Sequence, residues 1–138
     1  MAGDLQLTIL MQQKVKCKTK IFKVPAHELH IPEPFIIGFA GNMDEAMPIV
    51  DWLHYPEIYG RAPRVRNTIG LILTESGHIY TFVDPTKMVE IREGYAAIGS
   101  GAAYALGALA QGASPKEAVK VASKMDPFTG MGVKTLKF

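Results

Sequence analysis

Residues 97–103 read AIGSGAA, and the fold class of the chain turns on these seven residues. They have the pattern of a strand end, a glycine-rich turn and a helix start. A turn of that kind can cradle phosphate on exposed backbone N–H groups. The dinucleotide fingerprint needs a third glycine three residues after Gly101, and Tyr104 stands there. The sequence has no Walker pattern either. The stretch therefore reads as a tight turn into a helix, AAYALGALAQ, which Gly112 closes as a C-terminal cap. Just beyond, Ser114, Pro115 and Glu117 form a capping box with proline at the first helical position. Ala118, Val121, Ala122 and Met125 then line one face of a second helix.

Working outward, residues 4–10 alternate as a strand, with Leu5, Leu7 and Ile9 on one side and Gln6 and Thr8 on the other. KVKCKTKIFKV (14–24) alternates strictly, setting Lys14, Lys16, Lys18 and Lys20 opposite Val15, Cys17, Thr19 and Ile21. A proline-studded connector leads to FIIGFAG (35–41), an apolar run of the buried-strand type. DEAMPIVDWL reads as a helix with Ala46, Ile49, Val50 and Leu53 on one face, Asp44 near its start and Pro48 in its first turn. HYPEIYGRAPRVRN (54–67) reads as an extended loop. TIGLILTESGHIYTFVD (68–84) reads as a hairpin turning at Ser76–Gly77, followed by a further strand or two within 87–98. GVKTLKF is a final strand. Strands grouped in hairpins favour a largely antiparallel α+β layered fold over a Rossmann-type sheet.

At 138 residues, 48% hydrophobic and 20% charged, the chain is one globular domain, 1–138. A net charge of +2 does not by itself imply a nucleic-acid partner. The lysine ladder reads as a solvated face or edge protection, since it lacks interleaved aromatics or arginines. Cys17 cannot form an internal disulfide and reads as a reduced thiol. No signal peptide is visible, and AAIGSGAAYALGALA, fifteen residues long, falls short of the ~20 needed to span a bilayer. A soluble, cytoplasmic protein with no membrane partner is expected. His27, His30, His54 and His78 read as surface or capping residues, with neither metal nor cofactor expected. Trp52 reads as core or a subunit contact, and DPFTG (126–130) as a helix stop.

Taken together, several of these blocks resemble one family. AGDLQLT, Lys20 in KTKIFKV, IIGFAGNMDEA, GHIY, YAAIGSGAAYALGAL and SPKEAVKVASKMDPFTGMGV are similar to a proteasome β-subunit and to its bacterial relative, the HslV peptidase. The match runs from residue 2 to about residue 134. The resemblance implies a four-layer αββα sandwich, two antiparallel sheets with helices outside, built by N-terminal-nucleophile hydrolases. In that family a processed N-terminal threonine attacks the peptide carbonyl and its own α-amine is the general base.

By motif match, Asp4 and Lys20 are the carboxylate and ammonium beside the nucleophile. Gly41 matches the residue whose backbone N–H forms the oxyanion hole. Ser100, Asp126 and Thr129 match the group that hydrogen-bonds and orients the terminal amine. The family's threonine lies one strand and turn ahead of the AGD motif, which here follows Met1 directly. The first strand is thus expected to be missing and the nucleophile to lie upstream. The family's second long helix after FAG is replaced by residues 54–67, so ring size does not carry over.

The expectation is a threonine-type endopeptidase subunit acting on polypeptide in a homo-oligomeric ring, with an ATPase unfoldase as a further partner. The alternative is a non-catalytic ring-forming structural or assembly protein with the same fold. An N-terminal-nucleophile amidohydrolase of small amides fits the GSG and DxxTG blocks less well.

Overall fold

An apolar run with no polar side to turn to water belongs in mid-sheet, covered on both faces. The computed structural model, which describes residues 6–10, 21–28, 30–126 and 133–137, places FIIGFAG there as β3 (Phe35–Gly41). It pairs antiparallel with β2 (Ile21–Val24) on one side and β4 (Thr68–Thr74) on the other. β5 (Ile79–Phe82) and β6 (Val89–Ile91) complete a five-stranded sheet in the order β2–β3–β4–β5–β6. β1 (Gln6–Leu10) and β7 (Val133–Lys137) form a separate antiparallel pair. All described pairings are antiparallel, as the hairpin grouping of the sequence requires.

Successive strand residues face opposite ways, so β3 feeds two cores. Phe35, Ile37 and Phe39 join Val24, Ile72 and Phe82 against Ala46, Ile49, Val50, Trp52 and Leu53 of α1 (Met43–His54). Ile36 joins Ile21 and Leu71 on the other face, where Ile79, Ile91, Ala96 and Ile98 pack around them. Each fully buried Ile or Phe contributes roughly 1.5–3 kcal/mol relative to exposure. The strand thus anchors both sides of the sheet at once.

Asn42 caps α1, its side-chain oxygen accepting the Asp44 N–H at 3.0 Å. With the helix starting at Met43, Pro48 falls beyond the first turn expected for it. It leaves the Asp44 carbonyl without its usual helical donor. Residues 54–67 are not all extended, because Pro56, preset for the first helical position, starts a one-turn helix, α2 (Pro56–Tyr59). The hairpin turns where expected, with Gly77 at φ +95° donating to the Thr74 carbonyl at 3.0 Å. Within 87–98 only one strand, β6, forms, so residues 97–98 are not a strand end. Gly94 at φ +81° turns the chain away, and Ala96 and Ile98 pack on the sheet face instead.

α3 (Ala102–Ala110) and α4 (Pro115–Met125) form a helical hairpin. Gly112, at φ +94°, donates to the Leu109 carbonyl at 3.0 Å, and Ala113 donates to that of Ala108 at 3.1 Å. This is the Schellman closure that glycine permits. The capping box is formed in both directions, at 3.2 Å and 3.0 Å between Ser114 and Glu117. Ala105, Ala118 and Ala122 make the helix contact, while Val121 and Met125, set by their spacing on the same face as Ala118 and Ala122, are exposed. Alanine brings the two helices close enough that larger neighbours are left outside. α4 lies against β1 and β7, β1 beside β3, and β7 beside β2. Among the described residues no helix is long and apolar enough to cross a membrane.

Trp52 is a core residue, and its contacts correct the reading of one histidine. The His30 ring sits 4.2 Å from that of Trp52, and its buried Nε2 makes no hydrogen bond. Its neighbour His27 bonds Glu57 of α2 at 2.8 Å. Burial pushes the His30 pKa below its ordinary 6.5, opposed by the backbone bond involving Trp52; a further lowering comes from His27 and a raising from Glu57. The folded state therefore resists a proton that the unfolded chain accepts near 6.5. The stabilisation is complete above pH 6.5 and is lost as pH falls from there through the lower folded value. Urea midpoints measured at pH 7.5 and 5.5 should fall further for the wild type than for His30→Phe.

Gly70 faces Phe82 across the β4–β5 ladder, and a Cβ there would lie 2.2 Å from two ring carbons. Gly70→Ala is expected to lose about 1–3 kcal/mol in urea unfolding, with Gly70→Ala/Phe82→Leu recovering part of it.

Candidate functional site

The end of β3 is shaped by a close approach that only glycine allows. Gly41 has φ +107°, and a Cβ on it would lie 1.9 Å from the Asn67 carbonyl oxygen. Beyond it the Asn42 N–H donates to that same oxygen at 2.9 Å. Asn42 and Asn67 are thus a bonded pair, and ladder alternation directs the Gly41 N–H away from β4.

Glu45 holds this junction together. One carboxylate oxygen accepts the Arg66 N–H at 2.6 Å, and the other accepts the Asn67 N–H at 2.7 Å and the Thr68 hydroxyl at 3.1 Å. The buried Thr68 hydroxyl also donates to the Asn42 carbonyl at 2.8 Å. The Arg66 and Asn67 N–H groups hold the Glu45 carboxyl below its ordinary value, with smaller help from Thr68 and the Arg66 charge. Asn42 and Glu45 have the N-cap and third-residue spacing of a capping box. Here the glutamate reaches across to the entry of β4 instead of back to the cap.

The glycine turn meets β3 at this end. Gly99 has φ +96°, and a Cβ there would lie 3.5 Å from that of Ala40. The Ala102 N–H closes the turn on the Gly99 carbonyl at 3.1 Å. Ser100 is exposed at its tip, and Gly101 is buried at the start of α3. Asp126 ends α4 and is buried, its N–H donating to the Ala122 carbonyl at 2.9 Å. Because α3 and α4 are joined by a short loop, the end of α4 comes back to the end where α3 begins.

Of the six residues singled out by motif, the structure sets Gly41 at the end of β3, Ser100 on the turn that approaches Ala40, and Asp126 at the open end of the helical hairpin. Asp4, Lys20 and Thr129 lie outside the described residues. Residues not singled out from the sequence, Asn42, Glu45, Asn67 and Thr68, hold Gly41 in its conformation. The spacing of Asn42 and Glu45 was their available signal.

Neither a family model nor a curated protein matches the sequence. Solved structures do match along the chain. It is similar to BPH from Thiobacillus denitrificans in complex with epoxomicin, with TM-score 0.66 and 15% identity, over 100% of this chain and 94% of that one. Eukaryotic HslV from Trypanosoma brucei gives TM-score 0.66 and 16% identity, covering 100% of this chain and 96% of that one. Anbu (ancestral β-subunit) from Yersinia bercovieri gives 0.65 and 11%, over 100% of this chain and 78% of that one. The fold is HslV-like. At these identities the likeness is one of fold, and it agrees with the α+β architecture built above.

Gly41→Ala forces a left-handed backbone on alanine and drives its Cβ into the Asn67 carbonyl. It is expected to cost at least about 2 kcal/mol in urea unfolding. A substitution with an unchanged midpoint contradicts the described junction.

Proposed function

We propose that the chain is a subunit of a proteasome- or HslV-like threonine peptidase, with its active site at the end of β3. The observation that carries this reading is the approach of Gly99 to Ala40, which brings the Gly99–Ser100–Gly101 turn to the residue before Gly41, in a chain of HslV-like fold. The Gly41 backbone N–H serves as oxyanion donor, and a glycine there lets substrate come close. Ser100, Asp126 and Thr129 orient the attacking residue's terminal amine, which acts as general base. An α-amine has an unperturbed pKa of about 7.7–8.0, close to working pH. The Lys20 ammonium, anchored by Asp4, lowers that value further by disfavouring a second positive charge. In this chemistry the attacking threonine is the processed N-terminal residue of the working subunit.

Nucleophile and base are one residue in this chemistry, so it needs no metal or cofactor. In this reading the layers stack as an αββα sandwich, with α1 and α2 outside the five-stranded sheet and α3 and α4 outside β1 and β7. The subunit works in the cytoplasm in a homo-oligomeric ring on polypeptide, served by an ATPase unfoldase.

Mass spectrometry of the native protein should find a threonine at its N-terminus. Fluorogenic peptides should be hydrolysed, and turnover should be blocked by epoxomicin, the compound in the Thiobacillus complex. Ser100→Ala, at an exposed position, should slow turnover about a hundredfold with the urea midpoint unchanged. An N-terminus at Met1 or Ala2 with no turnover leaves the other reading, a non-catalytic ring-forming subunit.

A further inference from the structure

We propose that the groove between residues 62–66 and the turn at 84–86 binds acidic side chains of the polypeptide that reaches the Gly41 end of the sheet. This rests on the peptidase reading for its substrate and on the groove's own chemistry for its preference. The groove is open, with a volume of about 380 Å³. Pro63 and Val65 wall it, and Arg64, Arg66, Asp84 and Thr86 rim it.

Its lining carries two guanidinium groups and one carboxylate, and the acids nearby already have hydrogen-bond donors of their own. Asp84 takes the Thr86 hydroxyl at 2.7 Å and the Thr86 N–H at 2.9 Å on one oxygen. Glu45, the other acid beside Arg66, has both oxygens engaged by Arg66 N–H, Asn67 N–H and the Thr68 hydroxyl. Neither Arg64 nor Arg66 forms an ion pair with a carboxylate among the described residues. Both arginines are exposed, and each offers a planar fork of donors that matches a carboxylate.

The position of the groove suits substrate. The end of β3, the start of β4 and the end of β5 lie together at one end of the sheet. Arg66 precedes Asn67, whose carbonyl lies against Gly41, so their Cα atoms are about 3.8 Å apart. A chain lying extended past Gly41 comes to the arginine rim within a residue or two. A carboxylate there meets two guanidinium groups against the single negative charge of Asp84, a balance that favours it over a lysine.

The test uses the full chain and dye-labelled ten-residue peptides of alternating Glu and Gly or Gln and Gly, read by fluorescence anisotropy. The Glu peptide should bind at least about tenfold tighter than the Gln peptide, as two charge-assisted contacts imply. Arg64→Gln/Arg66→Gln should abolish that difference, while Arg64→Lys/Arg66→Lys should retain part of it and Arg92→Gln all of it. Circular dichroism melts show whether each variant is folded. Equal binding of the two peptides overturns the proposal, as does a preference that survives Arg64→Gln/Arg66→Gln in folded protein. A single-stranded RNA of ten nucleotides that binds more tightly through the same arginines also overturns it, in favour of phosphate. Turnover with no acidic preference sinks the groove and spares the peptidase reading. Acidic preference with no turnover does the reverse.

Discussion

A single carboxylate, Glu45, decides how the end of the central strand is presented. It accepts from two consecutive backbone N–H groups and one hydroxyl on the entry to β4. Without it the two exposed N–H donors would turn to water, and the Asn67 carbonyl would lose its fixed place against Gly41. Gly41 can then hold its left-handed backbone, because the surrounding bonds over-determine it. The α1 cap, the start of β4 and the end of β3 are thereby one hydrogen-bonded unit.

The elements that sequence revealed were those fixed by near neighbours. Ser114 and Glu117 announce α4, Gly112 announces the end of α3, and Ser76–Gly77 announces the hairpin turn, each through a bond spanning a few residues. The apolar run at 35–41 announced β3 for a different reason, its lack of any polar side. What escaped was set by distance. Glu45 lies 21–23 residues from its partners, and no local pattern encodes that reach. His30 looked like a loop residue because nothing near it in sequence says that Trp52 will cover it. The one-turn helix at Pro56 is a local feature, lost among the prolines and glycine that argued for an extended loop.

The candidate site was legible to a lesser degree and in another way. Gly41, Ser100 and Asp126 stand out singly only as strand end, turn and helix stop. It is the resemblance that joins them, and it is the fold that brings two chain segments 59 residues apart together at one end of the sheet, through Ala40 and Gly99. Arg64 and Arg66 lie in the segment 54–67, which none of the blocks that carry the resemblance includes.

The double-sided burial of β3 has a consequence for how the sheet finds its pairing. Where alternate residues are oily and polar, sliding a strand by one place exposes the wrong set and is penalised at once. Phe35 to Phe39 are buried on both sides, so sliding them exchanges one greasy neighbour for another. The alignment has to be enforced from the extremities. At one extremity stand Asn42, Asn67 and Glu45; at the other, the Glu75 N–H bonds the Pro34 carbonyl at 2.9 Å and Glu33 grips Ser76 at 2.7 Å. The strand is held like a ruler clamped at its two ends, blank of graduations between them.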